Sequence, residues 1–340
     1  MNEPVVVIGA GGWGTALAVV LARKGLPVTV WALEPEVRKQ VESSRENSSF
    51  LPGVPLPAGV SVTGSMADAL ATPARAIVMA VPTNHIRSVA PQLAAWRGCS
   101  SLVVSVAKGL ETSTGLRPSE IISKAMGVGP DSLCVLSGPS HAEEVGRDPP
   151  TAVVAASASE STAKRAQMLF FSPRFRVYTN TDMVGVEIAA ALKNVIAVAC
   201  GISDGLGFGD NTRAALITRG LAEITRLGVE LGGSRETFWG LAGVGDLVVT
   251  CTSKFSRNRG LGQRIGAGES LAAIQAGMKQ VAEGVHAARA AQTMARSRSV
   301  SMPITEQVCA VLFDGKPAAA AMADLLAREM RSEQDGAGAA

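Results

Sequence analysis

The stretch "VEIAAALKNVIAVACG", Val186–Gly201, sets one ammonium in a run of methyl-bearing side chains. On a helix, the face of Lys193 is shared by Ala189, Ala190, Ile196 and Ala197, all small or apolar. A solvated face fits poorly, since lysine is almost never fully buried without a partner. Its charge must reach a cleft, a ligand or a carboxylate; the plainer alternative is a lysine that snorkels from an interdomain helix. Desolvation brings an amine's proton exchange towards neutrality, which suits acid–base work. Asn194 and Glu187 supply a polar boundary on an adjacent face.

A second group sits in "VVVIGAGGWGTALA", where Gly9, Gly11 and Gly14 follow a run of β-branched residues and precede an apolar helical pattern. Gly9 permits a tight turn, Gly11 lets backbone approach a pyrophosphate, and Gly14 allows close packing of helix on strand. The helix N-terminus adds N–H groups and a positive dipole end. A dinucleotide is the expected ligand; a merely tight turn is the alternative, and FAD lacks a later element. Glu34 lies where an acid could accept from NAD ribose hydroxyls, while Leu33 offers no cation for a 2′-phosphate and Arg38 could do so from further along. The residues lean slightly to NAD and leave dual use open.

Lys108 ends the apolar run "SLVVSVAKG" at the carboxyl end of an expected strand, the edge where open α/β sheets bind ligands. In "SGPSHAEEV", Ser140 reads as the cap of a helix with Glu143 completing a capping box, and the same turn would suit an anion. Asp246, in "GLAGVGDLVVT", either orients the lysine or caps a helix. "SKFSRNRG" lines up Ser256, Arg257, Asn258 and Arg259, donors that suit a phosphate, though the patch could equally be a solvated loop. The three histidines show no metal spacing, and neither a structural metal nor a cysteine nucleophile is expected. Cys99, Cys134 and Cys200 lie in apolar runs and read as buried thiols.

The elements that must carry these groups follow from patterning. "PVVVIG", "PVTVWA", "GVSVTG", "RAIVMAVP", "SLVVSVAKG", "SLCVLSGP", "PTAVVAAS" and "FRVYTN" read as strands, with helical stretches between most of them. Near-continuous apolar strands fit a sheet buried on both faces. Beyond about Asp182 the strands stop and alanine-rich helical patterns take over. The fold class is therefore α/β: a Rossmann-type, mostly parallel sheet over residues 1–184, then an all-helical domain over 185–330. The tail 331–340, small and polar, is expected to be disordered.

Composition narrows the classes. The 340 residues carry 47% hydrophobic and 18% charged side chains and a formal charge of +3, with one tyrosine. Neither a basic tail nor an aromatic platform for nucleic acid is supplied. Five cysteines at irregular spacing favour a reduced, cytoplasmic setting. "VVVIG" is too short and lacks the basic leader of a signal peptide. No apolar segment reaches membrane-spanning length without polar interruption. The apolar helical domain could host a homodimer interface or simply be a core.

The stretches "GAGGWGTALA", "VPTNHIR", "AKGLE", "LSGPSHAEEV", "EIAAALKNVIAVACGISDGLGFGDNTRAALITRGLAEI", "FWGLAGVGDLVVTCTSKFSRNRGLG", "VAEGV" and "MPITEQV" span Val5 to about Phe313. Together they resemble the bacterial NAD(P)-dependent glycerol-3-phosphate dehydrogenases. That resemblance implies reversible conversion of dihydroxyacetone phosphate to sn-glycerol 3-phosphate, a product that supplies phospholipid synthesis. It implies Lys193 as proton acceptor, with Lys108 and Asp246 beside it in catalysis. Lys108, Gly138, Ser140, Asp246, Ser256, Arg257 and Asn258 match substrate-contacting positions. Gly12, Trp13, Lys108, Ala142, Arg257, Val281 and Glu283 match nucleotide contacts. The family often carries Arg near position 33, where this chain has Leu33, so NAD and NADP both stay open. The competing readings are another two-domain dehydrogenase, acting on a hydroxy acid or hydroxyacyl thioester, and a nonenzymatic dinucleotide-binding protein.

Overall fold

Runs of β-branched residues closed by glycine, proline and polar turns form eight strands: β1 (Val5–Ile8), β2 (Val28–Trp31), β3 (Val60–Thr63), β4 (Ala76–Met79), β5 (Leu102–Ser105), β6 (Leu133–Ser137), β7 (Thr151–Ala156) and β8 (Phe175–Asn180). The structure, a computed structural model, describes residues 3–96, 102–277, 282–330 and 332. Cys99, Val281 and, apart from Ser332, the tail 331–340 lie outside the described residues. All eight expected strands form, in the single-sheet order β3-β2-β1-β4-β5-β6-β7-β8. β1 to β6 are parallel, whereas β7 runs antiparallel to β6 and β8 parallel to β7. The reversal follows the short helix Ala142–Arg147, a connection that returns the chain without a full parallel crossover.

The two-residue period of a strand sends alternate side chains to opposite sheet faces. Val5 and Val7 therefore pack with Leu17, Leu21 and Phe170 on one face, while Val6 and Ile8 pack with Ile86, Leu93 and Ile121 on the other. Helices cover both sides, as the unbroken apolar strands require.

The chain divides into two compact units. One comprises Met1–Lys108 and Leu116–Met183; the other comprises Gly109–Gly115 and the chain from Val184 onward. The second unit is helical, and its core is built round the helix Met183–Gly205. That helix is long and apolar enough to cross a membrane, yet 89% of its most apolar window is buried inside the protein. It is a core helix because neighbouring helices, not lipid, cover its methyl groups. The helices Arg257–Gly266 and Pro303–Phe313 were not expected from the sequence, whereas a helical turn from Asp246 was one of the two readings of "DLVVT" and forms as Asp246–Thr252. Arg257–Gly266 opens on charged residues and glycine, so no apolar period announces it.

The helices Met183–Gly205 and Arg257–Gly266 meet backbone to backbone. A Cβ on Gly201 would lie 2.0 Å from the Arg259 carbonyl oxygen, and one on Gly205 would lie 2.2 Å from that of Gln263. From the other side, Gly262 would strike Val198 O at 2.2 Å and Gly266 would strike Ile202 O at 2.3 Å. Four glycines thus remove the side chains that normally hold two helices apart.

Glu223, on the helix Asp210–Glu230, caps a neighbouring helix. Its carboxylate accepts from the backbone N–H groups of Ile304 (2.6 Å) and Thr305 (3.2 Å) and from the Thr305 hydroxyl (3.2 Å). Burial outweighs these donors and lifts its pKa from 4.5 to about 7. The folded protein then holds a proton that the unfolded chain releases, so this group's stabilisation is present at low pH and is lost as pH rises through that window. Relative to the parent, Glu223→Gln should gain roughly 2–3 kcal/mol of stability between pH 5 and pH 8. Urea unfolding of both proteins at the two pH values checks this; an unchanged difference would refute it.

Cys134, Cys200, Cys251 and Cys309 are buried free thiols. Burial pushes Cys134 and Cys309 up to about 12, and hydrogen bonding to Cys200 together with burial raises Cys251. Cys134, Cys251 and Cys309 are thereby held as thiols rather than thiolates.

Candidate active site

In the first unit the glycine loop joins β1 to the helix Gly12–Arg23. Gly9 adopts φ +113°, closed to other residues, and a Cβ there would lie 2.8 Å from Ala80 O. A Cβ on Gly14 would lie 2.1 Å from the Gly9 carbonyl oxygen, so helix and turn touch. A Cβ on Gly11 meets nothing within 4 Å: the space beside that backbone is open. The first helical backbone bond, Thr15 N–H to Gly11 O at 2.9 Å, leaves the N–H groups of Gly12, Trp13 and Gly14 ahead of it. No acidic residue occupies that first turn. Ala142 opens its own helix beside the loop, 3.5 Å from where a Gly12 Cβ would stand.

At the carboxyl end of β2, Arg38 Nη1 donates to the carbonyls of Ala32 (2.8 Å) and Leu33 (3.1 Å). Its guanidinium fills the space of a Cβ on Gly64, which would lie 2.7 Å from Cζ. Leu33 itself is 68% exposed.

Beyond β5, Lys108 Nζ donates to the Gly138 carbonyl at 2.9 Å and to Ser140 Oγ at 3.2 Å, and Ser140 Oγ donates to the same carbonyl at 2.8 Å. Gly138 holds φ +133°, and a Cβ there would press on Val153 Cα at 3.0 Å. The expected capping role of Ser140 is overturned: His141 is the N-cap of Ala142–Arg147 and makes no side-chain cap bond. Ser140 instead ties Lys108 to the end of β6.

In the second unit Lys193 is buried and donates to Asp246 Oδ1 at 2.8 Å and to Thr250 Oγ1 at 2.7 Å. The side chains of Lys193 and Asp246 are only 7% and 2% exposed. The Thr250 hydroxyl donates in turn to the Asp246 carbonyl at 2.6 Å. Asp246 is not a cap, because Gly245 occupies that position and Asp246 begins the helix. At this burial an ammonium is tolerable only with a carboxylate and hydrogen-bond acceptors around it.

"SKFSRNRG" is not a solvated loop. Ser256 caps the helix Arg257–Gly266, its Oγ accepting from Arg259 N at 3.2 Å, and Ser256 and Asn258 are buried while Arg257 is exposed. The Asn258 amide is engaged inside the unit: Nδ2 donates to Asn194 Oδ1 and Oδ1 accepts from Gly284 N, both at 2.9 Å. That chain brings Asn194, Asn258 and the start of the helix Glu283–Ser297 together. Among the described residues no group of three or more His, Cys, Asp or Glu could hold a metal ion.

Residues 4–163 match the sequence model of the NAD-dependent glycerol-3-phosphate dehydrogenase N-terminus, and residues 182–323 match that of its C-terminus. A glycerol-3-phosphate dehydrogenase [NAD(P)+] of Chlorobium limicola is 50% identical over 330 residues, covering 97% of this chain and 99% of its own. The protein of that name from Geobacter sulfurreducens is 50% identical over 338 residues, covering 98% and 100%. The chain belongs to the NAD(P)-dependent glycerol-3-phosphate dehydrogenase family. A crystal structure of glycerol-3-phosphate dehydrogenase from Coxiella burnetii superposes with a TM-score of 0.91 at 37% identity, over 96% of this chain and 99% of that one.

For a member of this family the first unit fits a dinucleotide on its own geometry: open space beside Gly11, N–H groups without helical partners, and a buried Trp13 Nε1 with no partner among the described residues. Of the expected site residues, Gly9, Gly11, Gly12, Trp13, Gly14 and Ala142 gather in the first unit, as do Lys108, Gly138 and Ser140. Lys193 and Asp246 meet in the second, where Ser256, Arg257, Asn258 and Glu283 cluster. Val281 lies outside the described residues. Thr250 was missed, although its place one helical turn after Asp246 in "DLVVT" was a usable signal. Asn194 appeared only as a polar boundary; its bond to Asn258 depends on which helices cross.

Proposed function

We infer that the chain is an NAD(P)-dependent sn-glycerol-3-phosphate dehydrogenase that interconverts dihydroxyacetone phosphate and sn-glycerol 3-phosphate. One observation carries the reading of its chemistry: an ammonium, Lys193, sunk in an apolar helix and held by a carboxylate and a hydroxyl. The nicotinamide, when bound, supplies hydride to the carbonyl carbon or takes it up. Lys193 donates a proton to the carbonyl oxygen in reduction and accepts the hydroxyl proton in oxidation. Asp246 stabilises the charged amine and aims it, and Thr250 fixes its rotamer. Lys108, steadied by Gly138 and Ser140, is a further cation with which the first unit can meet an anionic group.

Arg257 grips the substrate phosphate, with the first-turn N–H groups of its helix and the Ser256 hydroxyl beside it. Asn258 offers the hydrogen left on its amide nitrogen and holds the Glu283 segment in place. The loop Gly9–Gly14, with Trp13 and Ala142, cradles the pyrophosphate. Glu34 serves ribose hydroxyls and Arg38 a 2′-phosphate, which supports use of NAD or NADP. The enzyme is cytoplasmic and its product feeds glycerophospholipid synthesis; the odd, irregular cysteine set supports that location.

Purified protein given dihydroxyacetone phosphate with each reduced nucleotide in turn should consume nicotinamide absorbance with at least one. Failure with both would remove the proposal. Turnover only of a non-phosphorylated acid would promote the hydroxy-acid alternative.

A further inference from the structure

Arg259 follows the phosphate-gripping residues directly, yet it does not share their task. Its Nε donates to Asp204 Oδ2 at 2.7 Å, and the pair is largely buried, with side chains 16% and 6% exposed. The other oxygen, Asp204 Oδ1, accepts from Arg213 Nη2 at 2.6 Å and Nε at 3.1 Å. Arg213 Nη1 reaches on to Asp210 at 2.5 Å. Charges of alternating sign thus run through the helices Met183–Gly205, Asp210–Glu230 and Arg257–Gly266.

The placement of this chain gives it a use. Asp204 lies about three turns along the same helix from Lys193. The glycine contacts between this helix and Arg257–Gly266 set their separation. A seam of Gly201, Gly205, Gly262 and Gly266 brings the two backbones together with few side chains between them. The Asp204–Arg259 bond sets register in the first turn beside Arg257, acting together with the Asn258–Asn194 bond that joins the same two helices. Arg259 is pinned twice there, by its backbone N–H to Ser256 and by its guanidinium to Asp204.

We propose that Asp204 is a positioning residue: through Arg259 it sets where the phosphate-binding turn stands relative to Lys193. It touches neither substrate nor nucleotide in this scheme. The inference rests on reading Arg257 and its turn as the phosphate grip.

The test is Asp204→Asn, assayed beside Arg257→Ala, with dihydroxyacetone phosphate and with dihydroxyacetone, which lacks the phosphate. Asp204→Asn should raise KM for the phosphorylated substrate about 10- to 100-fold, with kcat at saturation within about threefold of the parent. Turnover of dihydroxyacetone should stay unchanged, and Asp204→Glu should recover part of the KM. Should Asp204→Asn fail to fold, Arg259→Gln reports on the same contact with the Asp204–Arg213 pair intact. An unchanged KM, or equal losses on both substrates, overturns the inference. Arg257→Ala separates the two readings. If it raises KM while Asp204→Asn and Arg259→Gln do not, the phosphate grip stands and the positioning role falls; if none raises KM, both fall.

Discussion

Lys193→Ala should cut turnover by about 10²–10⁴-fold, the range spanned by a single positioned proton donor. Nucleotide affinity should survive, because the glycine loop and its helix end belong to the other unit. The size of the effect follows from burial. An amine held by Asp246 at 2.8 Å and Thr250 at 2.7 Å presents its proton in one geometry, and alanine leaves nothing there to donate. Single-turnover absorbance of the nicotinamide, with nucleotide binding by fluorescence and folding by circular dichroism, separates chemistry from collapse. A folded, nucleotide-binding variant that still turned over within a few-fold of the parent would refute the assignment.

The second large effect concerns stability. Asp246→Ala leaves a charged amine buried without its carboxylate, and removal of one partner from a buried pair costs about 3–5 kcal/mol. Activity should fall with it, since the lysine loses both its counter-charge and its aim. Lys193→Met combined with Asp246→Leu replaces both charges by apolar groups of similar volume. It should recover most of the lost stability and remain inactive, because well-packed apolar residues often match a buried ion pair in energy. Urea unfolding of the three proteins distinguishes the outcomes. A loss below about 1 kcal/mol for Asp246→Ala would mean that the amine finds water, and that the buried ion pair does not govern this site.

Much of this was legible in one dimension. The strand–glycine–helix opening announces itself because β-branched runs, turn glycines and helical periods are local properties. Lys193 stood out for the same reason: its neighbours at three and four residues' distance are all apolar. Ser140 read as a cap and Asp246 read equally as a cap or as the lysine's partner, since a residue fit to cap a helix is equally fit to bind a lysine; only the structure separates the two. Asn258 looked like a free phosphate donor because its residue type says nothing of the two partners that occupy its amide.

The order of elements, the glycine loop and the anomalous amine were determined by the sequence alone, because each depends on residues within a turn or two of one another. The partners were decided only in three dimensions. Lys193 and Asp246 are 53 residues apart along the chain, Asn194 and Asn258 are 64, and Asp204 and Arg259 are 55. Those pairs meet because glycines let two helix backbones touch and neighbouring helices close round them. No local periodicity encodes which turn of one helix will face which turn of another.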